Sequence, residues 1–294
     1  MKLSILIPVH NYTCYKLVYD LHEQAERLGI DYEIIVAEDG SRSQVDIIAN
    51  HKMIDLTNCR HIIRRENVGR AAIRNVLFRE STGDLLLFMD ADGRVINEKF
   101  LSAYIEASKE HAVVCGGIKC PEVCHDPHRS LRWRYERDYE KKHGYVSEQF
   151  RSFCFLIKRD VMSGLPFDER YKIYGYEDVQ YGMDLEKAGY TVHAIDNPLE
   201  NADIEDNCTF LKKTEEALRS AYMFRDEIGD RVEVVKLRKR LGILSLPIAC
   251  FFMVFKKILR ANLLSANPSL LVFKIYKLGY YCRIKTPVGF VRLR

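Results

Sequence analysis

The 294-residue chain has no Cys-x-x-Cys pair and no cysteine spacing suited to a bound metal. Its nine cysteines stand singly, and nine is odd. That argues against a disulfide framework as the basis of the fold. It fits a reducing cytoplasm in which most cysteines act as small core hydrophobes. No cleavable leader is expected: the apolar part of "MKLSILIPVHN" is short and meets Pro8 and polar residues at once. A membrane-spanning helix needs ~20 apolar residues, and Leu241 to Phe255 offers fifteen without a charge, interrupted by Pro247. No nucleic-acid-binding module is visible. Acidic residues almost vanish toward the end. From Arg231 to Arg294 there are 14 lysines and arginines and one acid, Glu233.

The rest of the composition is that of a folded protein, 47 % apolar and 29 % charged, long enough to bury a full-sized core. The formal net charge of +4 conceals two regions, because residues 1–230 hold 31 basic against 40 acidic side chains. Residues 231–294 are therefore read as a separate basic, apolar, helical appendage. Its segments "LGILSLPIACFFMVF" and "SLLVFKIYKLGYYCRIK" alternate apolar and basic-aromatic character. Such a pattern suits an interfacial position on an anionic membrane surface. A soluble helical layer packed on the rest of the chain is the alternative.

Within the first region strand and helix alternate. "KLSILIPVHN" reads as a buried strand, and "YKLVYDLHEQAERLG" as an amphipathic helix closed by Gly29. "YEIIVAEDGS" is a second strand, "VDIIANHK" a short helix and "CRHIIRRENVG" a third strand. "GRAAIRNVLFREST" is a helix and "GDLLLFMDADG" the most apolar strand. Strands apolar on both faces belong to a parallel sheet covered by helices, giving an α/β fold with a mostly parallel central sheet flanked by helices. In open sheets of this kind ligands bind at the carboxyl ends of the strands. Asp39 and the Asp90/Asp92 pair stand at two such ends. In extended geometry Asp90 and Asp92 share one side of the strand, and two like charges there call for a positive partner. A divalent cation with phosphate oxygens completing its shell is one answer; an ordinary Asp-Gly turn is the other. Farther on, Glu177 and Asp178 precede a helix that ends near Gly189. They are candidates either for proton transfer or for capping the helix start.

Five segments, "SILIPVHN", "EIIVAEDGS", "NVGRAAIRN", "LLLFMDADG" and "GYEDVQYGMDLEKAGY", occur in this order over roughly residues 1–200. In this the sequence resembles family-2 glycosyltransferases, which have the GT-A nucleotide-sugar fold. The resemblance implies a nucleotide-sugar donor bound by Pro8, Val9, Asp39, Arg74, Asp90 and Ala91. It implies a Mn or Mg ion held on the donor diphosphate by Asp90 and Asp92. Asp178 would be the base that takes a proton from the acceptor in an inverting transfer, with Glu177 beside it contacting the acceptor or shaping the site. Arg70, one turn before Arg74, is read as a solvated helix charge, and Tyr174 and Tyr176 as sugar-stacking or packing residues.

The chain departs from the family pattern in two ways. Where many relatives carry a metal-completing histidine, it offers Asn201 with Glu200, Asp203 and Glu205 nearby, while His193 lies earlier in a strand and reads as structural. No Q-x-x-R-W motif follows Asp178, which argues against processive synthesis and for addition of a single sugar. The resulting expectation is a peripheral enzyme on the cytoplasmic face of a membrane. It would transfer one sugar to a glycan or lipid-linked acceptor in surface polysaccharide or glycolipid assembly. Transfer to a polyprenyl phosphate and a non-catalytic, membrane-docked sugar-nucleotide-binding protein are the alternatives. The expected domains are 1–230, comprising a nucleotide-sugar half (1–115), an acceptor half (116–205) and a packing helix (206–230), and then the appendage 231–294.

Overall fold

In a computed structural model, which describes residues 1–143 and 149–284, the chain begins with β1 (Leu3–Val9), α1 (Tyr15–Leu28), β2 (Tyr32–Asp39), α2 (Gln44–His51) and β3 (Cys59–Arg64). There follow α3 (Arg70–Glu80), β4 (Leu85–Met89), β5 (Gly93–Val95), α4 (Phe100–Ser108), β6 (Val113–Cys115), β7 (Ile118–Lys119) and α5 (Ser130–His143). Then come β8 (Cys154–Lys158), α6 (Arg159–Gly164), α7 (Glu177–Lys187), β9 (Val192–Ala194) and β10 (Leu199–Asn201). The last helices are α8 (Asn207–Met223), α9 (Arg225–Ile228), α10 (Glu233–Leu241), α11 (Ser245–Leu263) and α12 (Leu270–Arg283).

A seven-stranded sheet has the order β3-β2-β1-β4-β8-β6-β9. Strands β1, β2, β3 and β4 run parallel, whereas β8 is antiparallel to both β4 and β6. The two-faced apolar character of "LSILIPV" and "LLLFM" has the expected cause: helices cover both sides, and every residue of β4 is buried. Helix α1 stops where Gly29 adopts φ 61° and donates its N–H to the Glu26 carbonyl, a conformation that favours glycine. A second, three-stranded sheet, β5-β10-β7, follows from the chain's return after β4. The order reverses at β1, with β2 on one side and β4 on the other. Val9, Asp39 and Asp90 thus reach the same end of neighbouring strands, where open α/β sheets bind ligands.

The chain forms two compact units, one of residues 1–124 and 135–204, the other of residues 125–134 and from Glu205 onward. The expected boundary at residue 230 thus falls inside the second unit. The reason is packing: Leu131, Leu211, Phe252, Leu263, Phe273 and Tyr276 share one core, so α8 belongs with α11 and α12. The expected packing helix (206–230) divides at Phe224 into α8 and α9. Its cap is Asp206, whose carboxylate accepts the N–H groups of Cys208 and Thr209. Pro247 lies in the first turn of α11, where its missing N–H costs no helical hydrogen bond. Together α10, a 3-10 turn at Gly242–Leu244 and α11 run from Glu233 to Leu263. These 31 residues are long and apolar enough to cross a membrane by length and composition, although the fifteen-residue run alone is not. The basic residues of 285–294 lie outside the described residues.

Candidate active site

The first unit gathers the candidate residues at the carboxyl end of its sheet. Val9 is buried and Pro8 half-buried at the end of β1, and the His10 ring Nδ1 lies 2.9 Å from the Asp39 carbonyl oxygen. The Asp39 carboxylate accepts the backbone N–H of Val68 (2.8 Å) through one oxygen and that of Gly69 (3.1 Å) through the other. Asp39 therefore fixes the loop that opens α3. Each of its oxygens keeps a further lone-pair direction, so a donor hydroxyl or base N–H remains acceptable to it. Burial raises the Asp39 pKa, against the lowering effect of those two N–H groups. Gly40 closes the turn beside it at φ +67°, and a Cβ there would overlap the Asn67 backbone nitrogen. Glycine is required at this point on both counts.

The strand does not run on through Asp92 as the sequence suggests. Strand β4 ends at Met89, and Gly93 N–H returns to the Asp90 carbonyl at 3.2 Å, so Ala91 and Asp92 form a turn. Asp90 and Asp92 are thus not aligned by strand pleat. The positive partner of Asp90 is protein: Arg74 Nη2 donates to Oδ1 at 2.8 Å and Arg70 Nη2 donates to Oδ2. Arg74, 1 % exposed, also donates to the Arg70 and Ser152 carbonyls, and its guanidinium lies 5.6 Å from the Phe167 ring. Burial is the main influence on Arg74 and lowers its pKa.

The expectation for Arg70 is overturned. Rather than a solvated charge, it is a bridge between Asp90 and Glu177, its Nε donating to Glu177 Oε1 at 2.9 Å. Burial opposes its charge, but Asp90 and Glu177 outweigh that and hold its pKa well above the ordinary value. The sequence does show that Arg70 and Arg74, four apart on one helix, share a face, but not that this face meets Glu177.

Glu177 and Asp178 lie in the first turn of α7, and neither is its N-cap residue. The residue before the helix is Tyr176, at φ 70°, and its own side chain makes no cap bond; a side-chain bond to a first-turn amide comes from Asp178 inside the helix. Glu177 is buried and held by the arginines, whereas Asp178 is half-buried and accepts the N–H of its neighbour Val179 at 2.8 Å. Burial first, and the Glu177 charge second, push the Asp178 pKa up to about 6, despite the opposing pull of Arg70 and Arg74. A carboxylate poised near working pH beside a fixed charge cluster has the properties of a general base.

The residues on the turn after β4 fit a divalent cation. Asp90 and Asp92 supply hard oxygen donors, which suit Mg or Mn when phosphate oxygens complete the shell. Asn201 lies opposite Gly93 in the β5–β10 pair, and Ala202 N–H donates to the Asp92 carbonyl at 2.9 Å. The Asn201 amide nitrogen faces the Glu136 carboxylate at 3.1 Å, while its buried Oδ1 finds no hydrogen-bond partner among the described residues. Among the described residues no group of three or more His, Cys, Asp or Glu gathers into a metal site, and a cation at this turn would need oxygens from a bound ligand to complete its shell. Glu200 is taken up by Arg94 at 2.6 Å. Glu205 belongs to the other unit, where it pairs with Arg132 at 2.8 Å. His193 stacks on His111 with ring centroids 3.5 Å apart, a structural role. Tyr12 stands in no motif that would single it out from the sequence. Burial, then the charges of Asp203 and Asp92, push its pKa up to about 12, placing its ring beside these acids. All nine cysteines are free thiols.

Residues 4–165 match the family model described as glycosyl transferase family 2. The chain belongs to this family. Curated relatives of the chain are glycosyltransferases too. An uncharacterized glycosyltransferase of Haemophilus influenzae is 26 % identical over 118 residues, 39 % of this chain and 46 % of that protein. The uncharacterized glycosyltransferase YfnE of Bacillus subtilis is 27 % identical over 192 residues, 64 % of this chain and 43 % of that protein. The chain thus spans less than half the length of these two relatives. Among solved structures, mannosyl-3-phosphoglycerate synthase from Rubrobacter xylanophilus superposes with a TM-score of 0.55 at 16 % identity, covering 79 % of this chain and 76 % of that one. The mannosyltransferase PcManGT from Pyrobaculum calidifontis, in complex with GDP-Man and Mn2+, gives 0.54 at 12 % identity, covering 95 % and 84 %. These likenesses show that the family-2 chain has the GT-A fold.

Proposed function

We propose that the protein is an inverting, metal-dependent glycosyltransferase that moves one sugar from a nucleotide-sugar donor to a glycan or lipid-linked acceptor. The observation that carries this reading is the ion-paired cluster in which Arg70 and Arg74 join Asp90, at the donor end of β4, to Glu177, next to Asp178. Pro8, Val9 and Asp39 line the nucleotide end, and Ala91 backs the diphosphate. Arg74 supplies positive charge toward the diphosphate. A divalent ion held by Asp90 and Asp92 would neutralise charge on the departing nucleoside diphosphate. Asp178, ionised above about pH 6, accepts the proton of the acceptor hydroxyl as that oxygen attacks the anomeric carbon. Glu177 is held by Arg70 and keeps the start of α7 in place. GDP-Man and Mn2+ in the PcManGT complex are a ligand pair of the proposed class.

The partner proposed for the second unit is an anionic membrane surface on the cytoplasmic side, with lipid-linked acceptor molecules in that surface. Helix α11 exposes Leu246, Met253, Val254 and Ile258, while Phe252 faces α12. Lys239, Arg240 and Lys257 are exposed on the same helical run. Apolar area with basic flanks and almost no acid complements an anionic bilayer.

The deciding experiment incubates the protein with a panel of nucleotide sugars, with and without Mn or Mg, and reads release of nucleoside diphosphate. Metal-stimulated release with one donor supports the reading. No release with any donor, together with tight binding of a nucleotide sugar, would leave a non-catalytic binding protein.

A further inference from the structure

Arg70 ties together the two ends of the site. Its guanidinium donates from Nη2 to Asp90 Oδ2 and from Nε to Glu177 Oε1 at 2.9 Å. Its Cζ lies 5.6 Å from the centroid of the Tyr174 ring. The backbone immediately before it is equally close to this segment: a Cβ on Gly69 would stand 3.0 Å from the Lys172 carbonyl oxygen. Residues 172, 174 and 177 belong to the stretch that leads into α7, and Asp178 follows at once. That stretch contains Gly175 at φ 104° and Tyr176 at φ 70°, so its backbone is held in a conformation that no regular element imposes. Its anchors to α3 include Arg70 and Gly69, together with a longer approach of Arg74 Nη1 to Glu177 Oε1 at 3.7 Å. Arg70 is also the more accessible of the two arginines, its side chain 38 % exposed against 1 % for Arg74.

A guanidinium has donors fixed in a planar fork, so two carboxylates bound to one fork are held at a set separation. Lysine offers the same charge as a point and cannot reproduce that geometry. We propose that Arg70 is a positioning residue that couples the donor end of the site to the acceptor end. Through Arg70, the state of Asp90 fixes the 172–178 segment and hence the place of Asp178. This rests on the glycosyltransferase reading and adds to it a residue that acts through two others. When the diphosphate occupies the neighbourhood of Asp90, the fork transmits that event to Glu177; with the fork removed, donor binding and the placement of Asp178 become independent.

The test uses the full chain carrying Arg70→Gln, Arg70→Lys and Arg70→Ala. With a working donor, Arg70→Gln is expected to lower kcat by ~10²-fold, the scale on which a misplacement of about 1 Å acts, with KM for the donor changed less than about threefold. Arg70→Lys should fall nearly as far as Arg70→Gln. Added guanidinium ion should restore part of the Arg70→Ala activity, an effect that loss of folding would not show. A second readout needs no turnover: hydrogen exchange of the 172–180 segment on adding nucleoside diphosphate and Mn. Protection in the wild type and none in Arg70→Gln supports the coupling. A kcat that stays intact while KM rises, a lysine variant equal to wild type, or equal protection in both proteins would overturn it. Were the wild type to bind the diphosphate with protection but transfer no sugar from any donor, the functional reading would fail while the coupling stood.

Discussion

Arg74 donates to Asp90 across 2.8 Å from a position only 1 % exposed, joining the helix after β3 to the end of β4. Burying a guanidinium is unfavourable unless it is paired and hydrogen-bonded. Here the Arg70 and Ser152 carbonyls take further N–H groups, so the cation is accommodated by several acceptors and not by a single ion pair. The two aspartates after β4 consequently have different work to do. Asp90 is embedded in the charge network of Arg70 and Arg74, whereas Asp92 stands in the turn beyond it, on the side of Tyr12.

That difference is measurable. Asp90→Asn removes the charge facing the buried Arg74 and is expected to destabilise the fold by ~3 kcal/mol, the scale for breaking a buried pair. Asp92→Asn should shift stability by less than ~1 kcal/mol. Both should cripple metal-dependent turnover. Urea unfolding beside nucleoside diphosphate release separates the two effects. Equal loss of stability in both variants would contradict the division, and an Asp92→Asn enzyme of undiminished activity would remove Asp92 from the metal.

Asp178→Asn should keep donor binding and lower turnover by ~10²–10⁴-fold, the usual contribution of a general base. The wild-type rate should rise with pH through about 6, since the base must be ionised to accept a proton. Stability runs the other way. The folded-state value lies above the ordinary 3.8, so the native state binds this proton more tightly than the unfolded chain does. The resulting stabilisation is complete below about pH 4 and is lost as pH rises through about 6. The amide of the variant cannot titrate, so its stability relative to wild type should increase between about pH 4 and pH 7. Thermal unfolding at a series of pH values reads this directly, and parallel curves for the two proteins would mean that Asp178 is not perturbed.

Much of the fold is legible in the sequence because its strands are apolar on both faces and its helices carry clear stops. The runs "LSILIPV", "YEIIVAED" and "LLLFM" form β1, β2 and β4, and Gly29 ends α1 as its position indicates. Charge pairing is less legible. Nothing local says that Arg70 will meet Glu177, 107 residues away, because that contact depends on how α3 and α7 are brought together by the sheet. The turn at Asp90 is hidden for a related reason: the alternation of a strand predicts the direction of Asp92 only as long as the strand continues. Pro247 misleads about the extent of α11, because the effect of a proline depends on its position within the helix.

The loop that carries Asn67 to Gly69 offers a test of the nucleotide end. Gly40→Ala would drive a Cβ into the Asn67 nitrogen at φ +67°. Strain and backbone overlap together are expected to cost at least ~2 kcal/mol and to weaken nucleoside diphosphate binding. Asp39→Asn should weaken it as well, because an amide has one acceptor oxygen where Val68 and Gly69 need two. Calorimetric titration of each variant with nucleoside diphosphate checks both. Unchanged affinity in the two together would detach this loop from the donor.

Membrane binding is best tested by substitutions on the surface of α11, because truncation from α10 onward would strip Phe252, Phe273 and Tyr276 from the core they share with Leu131 and Leu211. Val254 is 73 % exposed and Ile258 67 %, so glutamate at either place disturbs no packing in the second unit. At a bilayer surface the same residues would be immersed, each apolar side chain contributing ~1.5–3 kcal/mol when fully buried. Each Lys or Arg near anionic headgroups adds ~1 kcal/mol. The full chain should therefore float with vesicles containing anionic lipid and much less with purely zwitterionic ones. Val254→Glu combined with Ile258→Glu should abolish flotation while leaving the unfolding temperature within a few degrees of wild type. Transfer to a lipid-linked acceptor in vesicles should fall with flotation, whereas transfer to a water-soluble acceptor analogue should survive. Failure of the wild type to float with either lipid composition would show that the exposed face of α11 is not a lipid-binding surface, and the lipid-linked acceptor would lose its support.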